Sequence, residues 1–301
     1  MTLEAREADG AVSVLEDGAL LARYDAETAS SKSGFDVVAL PESAGPLAGE
    51  NLVVAAPHDH VWHLGLFFCQ KLVDGVNCWE SEPLASAGKL HGYAAHERCE
   101  VAETADAVEI SHAAIWQTSD GEPLLADERE ITVFEPDDGG YLLTWTQHLR
   151  ALERTRRLSS ESLHGHYSGL STRFARSLTD GEVRLAEGVD PGHTTRPREA
   201  SGPRGRWCDY TGDLDGVRDL EAERRAGIAM FDHPANETHP THWFVMTEPF
   251  GFLAANPTWR RVRTLSTEER LTWRWGLWVH AGRPDEAALE TAYGRYIGAD
   301  A

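Results

Sequence analysis

Lysine is almost missing from this sequence: Lys32, Lys71 and Lys89 are all there is in 301 residues. Against 28 basic residues stand 49 acidic ones, a formal net charge of −21. Nucleic acid and anionic lipid are bound through clustered Lys and Arg, so neither is an expected partner. The acid excess reads as a solvated, halophilic surface rather than an active-site signature. Cysteine is scarce too, and Cys69, Cys78, Cys99 and Cys208 include no C-x-x-C pair. Free, mostly buried thiols in a reducing cytoplasm are the simplest reading. No apolar run approaches the roughly 18 residues of a membrane span. The opening "MTLEAREADGAV" is too acidic for a secretory leader. No phosphate-cradling glycine loop, G-x-S-x-G elbow or H-E-x-x-H helix occurs, which argues against nucleotide-dependent enzymes, α/β-hydrolases and common zinc proteases.

What is present reads as strand and turn. Short or period-two apolar runs occur at 19–26, 35–41, 108–117, 128–135, 141–149, 227–233, 242–248 and 270–280. The segment "EPDDGGY" between two of them has hairpin chemistry. This rhythm predicts an all-β chain, one antiparallel sandwich domain spanning 1–301. One helix is expected at 284–298, with Leu289, Ala292, Tyr293, Tyr296 and Ile297 on a single stripe that closes the sheet. The Gly-, Pro- and Arg-rich stretch 187–206 reads as a long loop, a functional lid or a flexible insertion rather than a simple connector. The ten tryptophans serve core packing first and, at individual positions, stacking of sugar rings.

The chemistry concentrates in histidines. "HDHVWHLGLFF" (58–68) holds His58, His60 and His63 beside Asp59. On a strand, His58 and His60 point the same way and suit a metal. A turn would instead bring His60 and His63 together for acid–base work. "FDHPANETHPTHWF" (231–244) places Asp232 and His233 at a strand end, before a proline-bounded loop carrying His239 and His242. The strand 270–280 sets Leu271, Trp273, Trp275, Leu277 and Val279 on one face. Arg274, Trp278 and His280 share the other: a cation, an aromatic plane and a base suited to a polyol, or else a solvated outer surface. In "HGHYSGLSTRFAR" (164–176), Arg173 offers a rigid fork of donors.

Taken in order, "DHVWHLGLFF…VDGVNCW" (59–79), "HYSGLSTRF" (166–174), "RWCDYTG" (206–212), "GIAMFDHPANETHPTHWFV" (227–245), "FGFLAANP" (250–257) and "LTWRWGLWVHAG" (271–282) resemble the PmoA-like family. That family's methane oxygenase label does not suit a chain without membrane spans. The resemblance implies a galactose-mutarotase-like supersandwich linked with sugar catabolism. His60, His63, Arg173, Asp232, His233, Asn256 and His280 fall in its motifs. Trp62 and Leu64 depart from it, standing where a second histidine and an arginine are expected.

The resulting expectation is a carbohydrate-active protein performing acid–base chemistry on a sugar or oxidised sugar, as an epimerase, mutarotase, lyase or hydrolase. His60, His63, His233 and His280 would be catalytic in one pocket on the concave sheet. Arg173, Asp232, Asn256, Trp278 and Arg274 would bind substrate. No cofactor is expected. The alternatives are a cupin-like enzyme with a divalent metal on His58 and His60, and a sugar-binding module without catalysis.

Overall fold

The computed structural model describes residues 2–27, 32–80, 90–160, 167–186, 202–215 and 223–299. Two eight-stranded antiparallel sheets form a sandwich, with a small four-stranded sheet beside them. The first sheet runs Leu3–Ala8, Ala11–Glu16, Ala19–Asp25, Gly34–Val38, Leu66–Gln70, Ser168–Arg173, Phe252–Asn256 and His242–Met246. The second runs Glu182–Leu185, Trp207–Asp213, Arg225–Asp232, Leu271–Ala281, Gly140–Ala151, Pro123–Phe134, Ala107–Thr118 and Gly92–Glu103. The small sheet joins Val262–Leu265, Arg156–Ser159, Leu72–Val73 and Val76–Asn77.

Each of the eight apolar runs becomes a strand. "EPDDGGY" closes its hairpin as turn chemistry dictates: Asp137 and Gly140 exchange backbone hydrogen bonds at 2.8 and 2.7 Å. Asp138 and Gly139 between them adopt φ of 30° and 84°, the positive values that match strand twist. Along Leu271–Ala281 the predicted core face is realised, with Leu271, Trp273, Trp275, Leu277 and Val279 all in the inter-sheet core. Seven of the ten tryptophans are almost wholly buried. Burying a large aromatic side chain stabilises by about 1.5–3 kcal/mol, so packing accounts for most of this content.

The opposite face of that strand is neither a concave polyol surface nor simply solvated. The helix Glu286–Ala299 (α1) covers it, packing Leu289, Ala292 and Tyr296 onto Leu142, Trp207, Ala229 and Phe231, with Trp278 alongside. Asp285 caps the helix by accepting from the Ala288 amide at 2.8 Å. Tyr296 settles over Gly276, where a Cβ would stand 2.6 Å from the ring, so only glycine admits this approach.

A polar thread crosses the space between the sheets. His96 Nδ1 meets His112 Nε2 at 3.1 Å, and His112 Nδ1 meets the Tyr24 hydroxyl at 2.9 Å. Arg129 donates to Tyr24 (3.0 Å) and to the Ser33 carbonyl (3.3 Å), and pairs with the fully buried Asp127. The four cysteines are free, three of them buried. Among the described residues no helix is long and apolar enough to cross a membrane. Residues 187–201 of the expected long loop, and 164–166 of the Arg173 segment, lie outside the described residues.

Candidate functional site

Residues 58–63 form successive turns, not a strand. The His60 amide donates to the Pro57 carbonyl at 3.0 Å, and the His63 amide to the His60 carbonyl at 2.9 Å. This winding corrects the strand arrangement that would have pointed His58 and His60 at one metal. His58 is exposed, with its Nδ1 3.4 Å from the Arg176 guanidinium. Among the described residues no three His, Cys, Asp or Glu side chains converge as a metal ligand set. The same turns bring His60 and His63 face to face, ring centroids 4.8 Å apart at 22°.

The turns feed Leu66–Gln70, whose alternation separates its neighbours cleanly. Phe68 packs on Trp116, Trp273 and Trp275 between the sheets, whereas Phe67 lies against His63 and Trp79. The histidine pair therefore sits on the outer side of the first sheet. A cavity of about 60 Å3 opens there, lined by both histidines, Glu80 and an aromatic wall that includes Trp62, Trp79, Tyr167 and Phe252. Arg173, at the end of its strand and opposite Phe252 in register, stands behind this wall. Its guanidinium stacks 3.5 Å from the Phe250 ring centroid and donates to Asp59 (2.8 and 3.2 Å) and to His63 Nδ1 (3.4 Å).

Electrostatics follow from this packing. Burial pushes the His63 basicity well below the ordinary imidazole value, aided by the charges of Arg173 and Lys32. Burial also lowers His60, with Asp59 opposing. Partial burial would raise Asp59, but Arg173 outweighs it through hydrogen bond and charge and holds the carboxyl at about 2. Three buried nitrogens of this cluster have no protein hydrogen-bond partner: His60 Nδ1, His63 Nε2 and Arg173 Nε. Buried polar groups normally find partners, so these three atoms beside a cavity make the cluster the candidate ligand site. Larger hollows of about 310 and 390 Å3, near Glu7–Val12 and near Glu128–Arg270, have no such atom in their linings.

The other expected site residues lie elsewhere. His280 is buried on the helix side of the second sheet, its Nε2 2.9 Å from Asp209, a carboxylate also paired with Arg184. His233 accepts from the Ala235 amide and stands edge-on to Tyr296. The four-histidine pocket is thus corrected to two histidines, because residues 233 and 280 border the face that α1 covers. Asp232 is a loop clasp: it accepts from Asn236 (2.7 Å), His239 (2.8 Å) and the Thr241 amide (2.9 Å). Arg274 joins that clasp through its backbone, bonded both ways to the Asn236 side chain. Asn256 accepts from the Ser168 amide and hydroxyl, tying two strands. Trp278 packs beside the helix.

Several site residues escaped the sequence reading. Lys32 donates to the carbonyls of Trp62 and Trp79, both at 3.0 Å, and so pins the cavity's two tryptophan segments. Lys71 pairs with Glu80, which also accepts from Asn77 at 2.8 Å. Their signal was rarity. A chain that hardly uses lysine has buried these two beside the site.

No curated protein matches the chain significantly. One family profile does match, over residues 11–294, so nearly the whole chain, site included, belongs to a family of unknown function, DUF6807.

Proposed function

We propose that the His60–His63 cavity binds a sugar or oxidised sugar and performs acid–base chemistry on it. The observation that carries this reading is the pair of stacked, weakly basic histidines, with His63 Nε2 buried and unpartnered, inside an aromatic-walled cavity. Aromatic faces favour the C–H side of a sugar ring, and the nitrogens supply hydrogen bonds to its oxygens. A hollow of about 60 Å3 takes one edge of the ring, leaving the rest toward half-buried Trp62. Neutral imidazoles suit proton abstraction and donation near neutrality. The resemblance to PmoA-like and mutarotase-like proteins belongs to this same proposal, as does a cytoplasmic, carbohydrate-processing role. His58 and His60 do not fit a metal, since the turn parts them and Arg176 faces His58.

The test is titration of a panel of neutral sugars, uronates and keto-sugars, followed by tryptophan fluorescence and by NMR for turnover. Saturable binding and turnover that both fall in His60→Ala, a variant first checked for folding, support the reading. Binding without turnover of any member would make the protein a sugar-binding module instead. Absence of binding across the panel would remove the proposal, and stoichiometric iron, manganese or zinc in purified protein would favour a metal enzyme.

A further inference from the structure

We infer that the cavity is built for the carbonyl form of a sugar, with His63 as a fixed neutral N–H donor to the carbonyl oxygen and His60 as the base at the adjacent carbon. This inference rests on the sugar reading above and narrows it to one substrate class and one reaction class.

Arg173 decides which His63 nitrogen carries the proton. A guanidinium has donors and no acceptor, so the His63 nitrogen facing it must present a lone pair. That nitrogen is Nδ1, at 3.4 Å. The proton of neutral His63 therefore resides on Nε2, the buried nitrogen with no protein partner. Arg173 cannot swing away to release this arrangement. It is 1% exposed, held by Asp59 on one side and stacked on Phe250 on the other. A second proton on Nδ1 would set an imidazolium against the guanidinium. His63 thus keeps its proton while offering it to an acceptor, which is the behaviour required of an electrophile that steadies a developing oxyanion.

The same groups count against glycosidic cleavage. That reaction calls for a carboxylic acid that carries a proton to the leaving oxygen. Among the described residues the carboxylates at the cavity are Asp59, ion-paired with Arg173, and Glu80, ion-paired with Lys71. His60, stacked on His63, turns Nδ1 towards Asp59 at 3.5 Å and keeps its other nitrogen for substrate. A base and a neutral donor side by side reach a carbon and the neighbouring carbonyl oxygen.

The chemistry balances without an outside reagent. His60 takes the proton from the carbon next to the carbonyl, and the C–H electron pair becomes the new C=C bond. The carbonyl π pair moves onto oxygen, where the His63 Nε2–H holds the enolate. Return of the proton from His60 to the same face of that carbon restores the ketone in its original configuration, and exchange of the His60 proton with solvent in between replaces the hydrogen at that carbon. Nothing is oxidised or reduced. Arg173 touches no reacting atom; it is a positioning residue that dictates the His63 tautomer.

Two measurements on the full-length protein test this. Long-range 1H–15N NMR on histidine-labelled protein reads the His63 tautomer directly, with His63→Phe assigning the signal. The expected result is neutral Nε2–H from pH 5 to 8, with Arg173→Gln admitting the Nδ1–H form. In parallel, dihydroxyacetone, D-xylulose and D-fructose are incubated with protein in D2O, with glycerol, xylitol and mannitol as controls lacking a carbonyl. Deuterium should enter beside the carbonyl of at least one keto-sugar, falling about 10²–10⁴-fold in His60→Ala, the range for a lost general base. His63→Phe, which keeps an aromatic ring in the stack, should lower it about 10²–10³-fold, as for a lost oxyanion donor. An Nδ1–H or titrating His63 overturns the inference, as does keto-sugar binding with no deuterium uptake; in both cases the sugar reading survives. If none of these keto-sugars binds, the inference falls, while the sugar reading is decided by the wider panel of neutral sugars and uronates.

Discussion

Consider removing the charge from Asp127. This carboxylate is wholly buried and accepts from Trp116 Nε1 (2.7 Å), from Arg129 Nε and Nη2 (3.0 and 2.8 Å), and from Gln147. In Asp127→Asn the amide turns donors towards donors and leaves the Arg129 cation uncompensated. Breaking a buried pair in this way costs about 3–5 kcal/mol. At roughly 2 °C per kcal/mol for a chain of this size, the melting temperature should fall by about 6–10 °C. Arg129→Met should cost a similar amount by stranding the anion. The decisive variant is the double replacement, Asp127→Leu with Arg129→Met, because an apolar pair of similar volume often substitutes for a buried ion pair at little cost. Tyr24, Trp116 and Gln147 still lose partners, so the double variant should be about as unstable as either single one. Urea unfolding of the unmodified protein, Asp127→Leu, Arg129→Met and the double variant closes this cycle, with Asp127→Leu expected to cost at least as much as Asp127→Asn. If the double variant instead lost the sum, about 6–10 kcal/mol, the two side chains would be acting independently and the ion-pair account would be wrong.

Three other outcomes are expected. Burial drives His112 down from 6.5 to about 3, so between those values the unfolded chain binds the extra proton and stability falls as pH falls. His112→Gln should flatten the acid limb of the stability profile by up to about 1.4 kcal/mol per pH unit, and an unchanged slope would contradict the burial argument. Gly276→Val should push Tyr296 off its seat and loosen α1, read as faster amide exchange confined to 286–299; native-like protection there would show that the helix is not seated by this contact. His239→Ala should cost about 1–3 kcal/mol by stripping Asp232 of a buried donor, yet leave sugar affinity at the His60–His63 cavity unaltered. A large loss of that affinity would move the site.

The sandwich was legible because its inner strands alternate. Trp273, Trp275 and Leu277 announce a buried face by period alone. Gly92–Glu103, at the edge of the second sheet, escaped because its polar pattern has a weak apolar face. At the site, residue type alone singles out His60 and His63, and their spacing allows a turn that brings them together. Asp59, next to His60, and Arg173, with its fork of donors, are marked by the same token; that Arg173 grips Asp59 and faces His63 is not, nor is Lys32, because residues 32, 59 and 173 are joined only by the fold. Asp232 and His280 were conspicuous for the same reason they misled. A buried carboxylate clasping a loop and a histidine paired with Asp209 use the same residue types as catalysis. Sequence shows the chemistry a side chain owns, not the face of the sheet on which it is spent.

The covering of the second sheet by α1 also bears on how the chain assembles in time. Every strand of that sheet precedes the helix. During synthesis, therefore, Leu142, Trp207, Ala229 and Phe231 form an apolar strip before anything exists to cover it. A nascent chain stalled ahead of residue 286 would present this strip to its neighbours, a state prone to association or to capture by a chaperone. The helix is the element that turns a sticky sheet into a finished surface.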